Sequence, residues 1–328
     1  MRGSAAPIEP PFAPVFIAGP TAVGKSSIAL VLAELLGGEI ISADSMQVYR
    51  GLDIGTAKPP AAERRRVPHH LIDVCELRES FDAARFVSLA RAAVAEIQAR
   101  KKFPIFCGGT GLYFQAFLGG LGHAPSPDES LRASLEKTPL PELLAELRER
   151  DPSTYERIDR QNPRRVIRAI EVLRLTGKPF SAQRADWKTG NVSTPIYCLT
   201  RPAPALRARI AARVDEMFRR GLVEETRRLL ERGLEGNQTA MQAIGYRQVV
   251  SHLRGGRNLD ETIELVKVRT RQFARRQMTW FRRVGNCRWI ELEDSQSPQS
   301  AALQLKGHIE AGKRGAAGGE RISLKSSV

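Results

Sequence analysis

The sequence predicts an α/β protein in which a parallel sheet is flanked by helices and interrupted by an inserted all-helical domain. Three observations carry that prediction. Short apolar runs alternate with helical-period segments over the first third of the chain. A phosphate-binding loop joins the first run to the first helix. Strand signals then vanish from about Asp128 to Thr176 before returning.

Val15–Ala18 reads as the first buried strand, and Ile28, Val31, Leu32 and Leu35 follow at helical spacing. Between them lies Gly19-Pro20-Thr21-Ala22-Val23-Gly24-Lys25-Ser26. Gly19 and Gly24 let the chain turn tightly, so that backbone N–H groups point inward at a phosphate. The helix start and Lys25 add positive charge, and Ser26 sits where such loops hold Mg²⁺. Strand, loop and helix in this order make the core P-loop NTPase-like. The loop binds a di- or triphosphate, but nothing in it says whose.

Glu39–Ala43 is the second strand and delivers Asp44-Ser45-Met46-Gln47 at its carboxyl end, where ligands of parallel sheets sit. Residues 51–56 are turn-rich. Leu71–Val74 is a third short strand candidate, and it carries Asp73. Phe86, Leu89, Ala90, Ala93, Val94 and Ile97 put a helix over 85–99. Phe103–Cys107 is a further strand, ending in Gly108-Gly109-Thr110-Gly111.

The following segment is helical and charged, with Val166, Ile170 and Leu173 on one face. A strand at Pro195–Thr200 restores the α/β texture. Leu206, Ile210, Val214, Met217 and Phe218 then mark a long helix. A last strong helix spans 261–283, with Ile263, Val266, Thr270, Phe273, Gln277 and Trp280 inward, and Arg288–Leu292 closes as a strand. The expected domains are a disordered leader (1–14), the core (15–122 and 195–295), the insertion (123–194) and a low-complexity tail (296–328) with one helix near 299–311.

With 328 residues, 42% of them hydrophobic, the chain has room for a sizeable core and two domains. Lys and Arg total 51 against 36 Asp and Glu, and a net charge of +15 favours a polyanionic partner. Between Leu265 and Ile290 stand Lys267, Arg269, Arg271, Arg275, Arg276, Arg282, Arg283 and Arg288, with no acidic residue. A solvated helix face normally mixes signs to gain i,i+4 pairs. This one forgoes them, as it would if phosphates supplied the anions; a plain charged surface helix is the alternative.

The four cysteines are isolated, which argues against a disulfide framework or zinc site and for a reducing cytosol. No apolar run approaches the length of a membrane span, and the leader lacks the apolar core of a signal peptide. A cytoplasmic monomer is expected.

A phosphate loop usually means phosphoryl transfer, with a second carboxylate on an apolar strand as a Mg²⁺ ligand. Asp73 is the only candidate in that style, whereas Asp44 is better placed to act as a base. A base facing such a loop suits attack on phosphorus, and equally attack on carbon with diphosphate departing. The motifs alone leave both open.

Several blocks stand in an order that closely resembles the bacterial tRNA dimethylallyltransferase family (tRNA isopentenyltransferases). They are Gly19–Ser26, Asp44-Ser-Met-Gln-Val-Tyr49 with Gly51-Leu-Asp-Ile-Gly-Thr-Ala-Lys-Pro59, Gly108-Gly-Thr-Gly-Leu-Tyr113, Gln161-Asn-Pro-Arg-Arg165, Gly245-Tyr-Arg247 and Arg276-Gln-Met-Thr-Trp280. The resemblance runs from about Val15 to Leu292. It implies transfer of a dimethylallyl group from dimethylallyl diphosphate to N6 of the adenosine just 3′ of the anticodon (position 37), in tRNAs reading codons that begin with U.

By the same resemblance, Gly19–Ser26 holds the donor's diphosphate with Mg²⁺ at Ser26, Asp44 is the general base, and Lys25, Thr110 and Arg213 complete the catalytic set. The implied contacts to the tRNA anticodon stem-loop are Asp44, Ser45, Met46, Gln47, Thr110, Arg132, Gln161, Asn162, Pro163, Arg164, Arg165, Gln242, Ala243, Ile244, Gly245, Tyr246, Arg247, Arg275, Arg276, Gln277, Met278, Thr279, Trp280, Phe281 and Arg282. Asn162 and Pro163 also read as an ordinary helix start, and both readings hold together. The rivals are a phosphotransferase acting on a nucleotide or polynucleotide and a non-catalytic RNA-binding protein.

Overall fold

A computed structural model of the protein describes residues 12–183 and 194–317. The expected leader up to residue 11, residues 184–193 of the insertion and 318–328 of the tail lie outside the described residues.

In chain order the elements begin β1 (Val15–Ala18), α1 (Lys25–Leu36), β2 (Gly38–Ala43), α2 (Ala61–Arg66), β3 (His69–His70), α3 (Ala83–Ala99), β4 (Phe103–Gly108) and α4 (Gly111–Gly119). Then come α5 (Glu129–Lys137), α6 (Leu140–Arg150), α7 (Pro152–Arg157) and α8 (Pro163–Thr176). The chain closes with β5 (Ile196–Thr200), α9 (Ala203–Arg219), α10 (Leu222–Glu231), α11 (Tyr246–Leu253), α12 (Leu259–Phe281), β6 (Cys287–Glu291) and α13 (Pro298–Ala317). The strands form one sheet in the order β3-β2-β4-β1-β5-β6, parallel at every pairing. β1 and β2 are buried along their whole length, as strands covered on both faces must be.

Packing divides the chain into two compact units, Gln115–Asn191 and the remainder, and the division falls inside α4, ahead of the expected residue 123. Within the smaller unit, Val166, Ala169, Ile170 and Leu173 of α8 pack with Leu135, Leu143 and Leu147. Asn162 caps α8 by accepting the Arg165 N–H (3.4 Å), with Pro163 in its first turn.

Two expectations are corrected. The third strand is His69–His70, paired with Ile40 and Ile41, not Leu71–Val74. Leu71 (φ 61°) and Asp73 (φ 57°) lie in the left-handed region, which no strand tolerates. The helix expected near 299–311 is α13, but it is not part of a loose tail: Ala301, Ala302, Leu305 and Ile309 enter the core that contains Ile28 and Leu32 of α1. Their spacing is a helical stripe within a segment otherwise rich in Ser, Gln and Gly. Among the described residues, no helix is long and apolar enough to cross a membrane.

Candidate active site

Register sets the layout. Ala43 and Ala18 flank Gly108 at the same level, and Cys198 stands level with Ala18. Asp44, Gly109 and Gly19 therefore leave β2, β4 and β1 at one edge of the sheet. With β4 between them, Asp44 and Gly19 start about 10 Å apart, two strand spacings.

The loop after β1 is shaped by left-handed residues at Ala22 (φ 64°) and Gly24 (φ 108°), which curl the backbone into a nest. Its carbonyls are turned outward and held by cations. Lys25 Nζ donates to Pro20 O (2.7 Å), Arg209 Nε to Ala22 O (3.0 Å) and Arg201 Nε to Val23 O (3.0 Å). Arg213 Nη1 donates to Thr21 Oγ1 (3.3 Å). An open cleft of about 410 Å³ lies against the loop, lined by Gly24, Lys25, Ser26, Arg209 and Arg213 among others. Burial, reinforced by Arg213 and opposed by Cys107 and Asp44, lowers the Lys25 pKa to about 8. Burial likewise pulls Arg213 below its ordinary value, against the attraction of Asp44. Lys25, Arg213 and Asp44 thus share one electrostatic field.

Asp44 Oδ1 accepts the N–H groups of Met46 (2.9 Å) and Gln47 (3.3 Å), an Asx turn that fixes the carboxylate at the strand end. Among the described residues, its Oδ2 has no hydrogen bond or ion pair. Thr110 stands beside it, its Oγ1 accepting the Ser45 N–H (3.1 Å). Asp73 is different. Lys58 Nζ (2.6 Å) and Arg64 Nη1 (2.8 Å) occupy its two oxygens, and Lys58 also donates to Asp53 (2.6 Å) and Tyr49 O (2.9 Å).

The residues expected to meet RNA divide by exposure. Arg275, Arg276 and Thr279 lie exposed along α12, as does Arg282 just beyond its end, while Gln277 and Phe281 are buried. Gln242 and Arg247 are exposed, but Ala243, Gly245 and Tyr246 are buried. Tyr246 donates its hydroxyl to Glu225 Oε1 (2.6 Å) and accepts the Gly55 N–H (3.1 Å), and burial raises its pKa. Gln47 spends its side-chain N–H on Thr56 O (3.2 Å) and Ala57 O (3.4 Å). Met278 and Trp280 are partly buried, as are Ile244, Ser45 and Met46. In the smaller unit Gln161, Pro163, Arg164 and Arg165 are exposed, and Arg132 is ion-paired to the buried Glu171 (2.7 Å). The unpaired basic row is corrected at Lys267, which pairs with Asp215 and Glu264 (2.8 Å each).

Arg201 and Arg209 are absent from the sequence-based set. Arg209 precedes Arg213 by one helical turn and so shares its face, a signal available in the sequence. Arg201 had none, because its role depends on β5 lying beside β1.

Fold and site define a phosphate-loop enzyme with a carboxylate held across the sheet edge from the loop. The chain belongs to the IPP transferase family, whose profile matches residues 47–284. It is 48% identical over 295 residues to tRNA dimethylallyltransferase 1 of Trichlorobacter lovleyi, spanning 87% of this chain and 96% of that one. It is 46% identical over 285 residues to the tRNA dimethylallyltransferase of Geobacter metallireducens (84% and 92%). Among solved structures, the full-length tRNA isopentenylpyrophosphate transferase of Bacillus halodurans matches with 39% identity and TM-score 0.67, covering 92% of this chain and 98% of that one. A eukaryotic dimethylallyltransferase captured acting on tRNA matches with 28% identity and TM-score 0.75 (95% and 81%).

Proposed function

We propose that the protein transfers the dimethylallyl group of dimethylallyl diphosphate to N6 of the adenosine 3′-adjacent to the tRNA anticodon, releasing diphosphate. The observation that carries this reading is Asp44, fixed at a strand end with one oxygen uncommitted and facing the same edge as the phosphate loop. An adenine amine is a poor nucleophile because its lone pair is delocalised into the ring. As the N6–C bond forms and the allylic C–O bond breaks, Asp44 accepts the N6 proton, a contribution typically of about 10²–10⁴-fold. The electron pair leaves with the diphosphate, whose growing charge the loop amides, Lys25 and Arg213 neutralise.

Ser26, exposed at the helix start, fits a Mg²⁺ held mainly by substrate phosphates and water. Among the described residues no cluster of three or more His, Cys, Asp or Glu suits a metal, which is compatible with that kind of site. When bound, the ion adds to the charge neutralisation of the leaving group.

The base must leave its stack in the anticodon loop to reach Asp44. The exposed arginines Arg247, Arg275, Arg276 and Arg282, and on the smaller unit Arg164 and Arg165, are the candidates to hold its phosphates. A tRNA substrate supports a reading of the protein as cytoplasmic, and we read it as a monomer because the sequence shows no self-complementary apolar stripe.

The test is incubation with radiolabelled dimethylallyl diphosphate, Mg²⁺ and unmodified tRNA, followed by nucleoside analysis. Label in an N6-modified adenosine supports the reading. ATP-dependent phosphate transfer without prenylation overturns it.

A further inference from the structure

Gln277 sits on α12 in the block that the resemblance assigns to RNA contact, yet it is buried. Its Oε1 accepts the Thr21 N–H at 2.8 Å and its Nε2 donates to Gly109 O at 3.0 Å. One partner is a donor and the other an acceptor, so only one orientation of the amide satisfies both. We propose that Gln277 is a positioning residue that ties the phosphate loop to the turn beside the catalytic carboxylate, and is not an RNA ligand.

The surroundings are built for this contact. A Cβ on Gly109 would lie 2.1 Å from Gln277 Nε2, and one on Gly111 would lie 2.1 Å from the Trp280 ring. Both glycines therefore let α12 approach the turn, which is a different task from cradling phosphate. Through Gln277 the helix grips Thr21, whose hydroxyl accepts from Arg213, and Gly109, whose neighbour Thr110 accepts from Ser45 next to Asp44. One buried amide thus joins the leaving-group half of the site to the base half. Losing it strands the Gly109 C=O in a buried place and the Thr21 N–H in a partly buried one, and the loop must rearrange to satisfy them. Pro20 has no N–H, so Thr21 is the first residue after Gly19 whose amide can anchor the loop to α12.

The inference rests on the reading of Gly19–Ser26 as a diphosphate cradle, and its test separates the two. Inorganic pyrophosphate with Mg²⁺ and an anticodon stem-loop RNA are titrated separately against the unmutated protein, Q277M and Q277E. Q277M keeps the length without hydrogen bonds; Q277E keeps an acceptor for Thr21 but sets an oxygen against Gly109 O. Both should weaken pyrophosphate binding about tenfold while RNA affinity stays within about twofold, which also reports that the variants are folded. Weaker RNA binding with unchanged pyrophosphate affinity would make Gln277 an RNA ligand and overturn the proposal. So would no change in either. Failure of the unmutated protein to bind pyrophosphate would remove the cradle reading instead. Independently of any variant, the Thr21 amide should resist hydrogen exchange in the ligand-free protein, and rapid exchange would contradict the anchor.

Discussion

Asp44 and Asp73 both follow strands of the same sheet half, and their surroundings differ completely. Asp73 is surrounded by charge: Lys58, buried except for its partners, and Arg64 saturate it. Burial pushes its pKa up, but the hydrogen bonds and charges of Lys58 and Arg64 prevail and hold it below the ordinary value. Asp44 is tied only to its own turn amides and looks toward the loop's cations. A carboxylate already neutralised by two cations has little capacity left for a metal or a proton, whereas one anchored by a single oxygen can use the other. On the proposed reading, that contrast separates a carboxylate spent on structure from one able to serve as the base.

The largest expected effect comes from Asp44→Ala, which should lower turnover about 10²–10⁴-fold while RNA affinity stays within about tenfold, since a base acts mainly in the transition state. An equal loss of affinity would reduce Asp44 to a binding residue like its neighbours. Arg275→Ala with Arg276→Ala should weaken RNA binding and reduce the slope of log K against log salt by about 1–2, as two phosphate contacts require. An unchanged slope takes α12 out of the interface.

Lys25 gives a pH signature. With a pKa near 8 it is charged below that pH and neutral above it, so diphosphate affinity should fall about fivefold from pH 8 to pH 9. In Lys25→Arg, where the cation persists, that fall should disappear. The smallest effect on activity belongs to Asp73→Asn: turnover should stay within about threefold below the melting temperature, while stability drops by about 1–3 kcal/mol. Asp73's folded pKa is depressed, so its stabilisation is present above its unfolded value and lost as pH falls through the folded one. The gap in melting temperature between the two proteins should therefore close in acid. A constant gap, or a collapse of activity in Asp73→Asn, would erase the distinction between the two carboxylates.

What the sequence made legible is what local physics determines. The glycines and helix start around Lys25 specify a phosphate nest within eight residues, and an apolar run ending in Asp44 specifies a carboxylate at a sheet edge. Contacts made across the chain were hidden. Nothing near Gln277 announces that its amide reaches Thr21, 256 positions away. Lys58 and Asp73 form an ion pair where Leu71 and Asp73 turn left-handed, whereas the apolar letters of Leu71-Ile72 pointed to a strand. The helix of α13 was legible, but its docking was obscured by polar composition, because four small or aliphatic residues suffice once α1 offers a partner. Tyr246 sits in a block that the resemblance assigned to RNA contact, yet its hydroxyl serves Glu225 and the Gly55 turn. A motif records proximity to a function without saying which side chains touch the ligand.

The most direct measurement is a structure of the protein with a non-hydrolysable dimethylallyl diphosphate analogue and an anticodon stem-loop. The free oxygen of Asp44 should lie within about 2.6–3.2 Å of the extruded adenine N6, or one water away, with the diphosphate seated on Gly19–Ser26. A carboxylate turned away from that amine, with the base approached by some other proton acceptor, would contradict the assignment on which the chemistry rests.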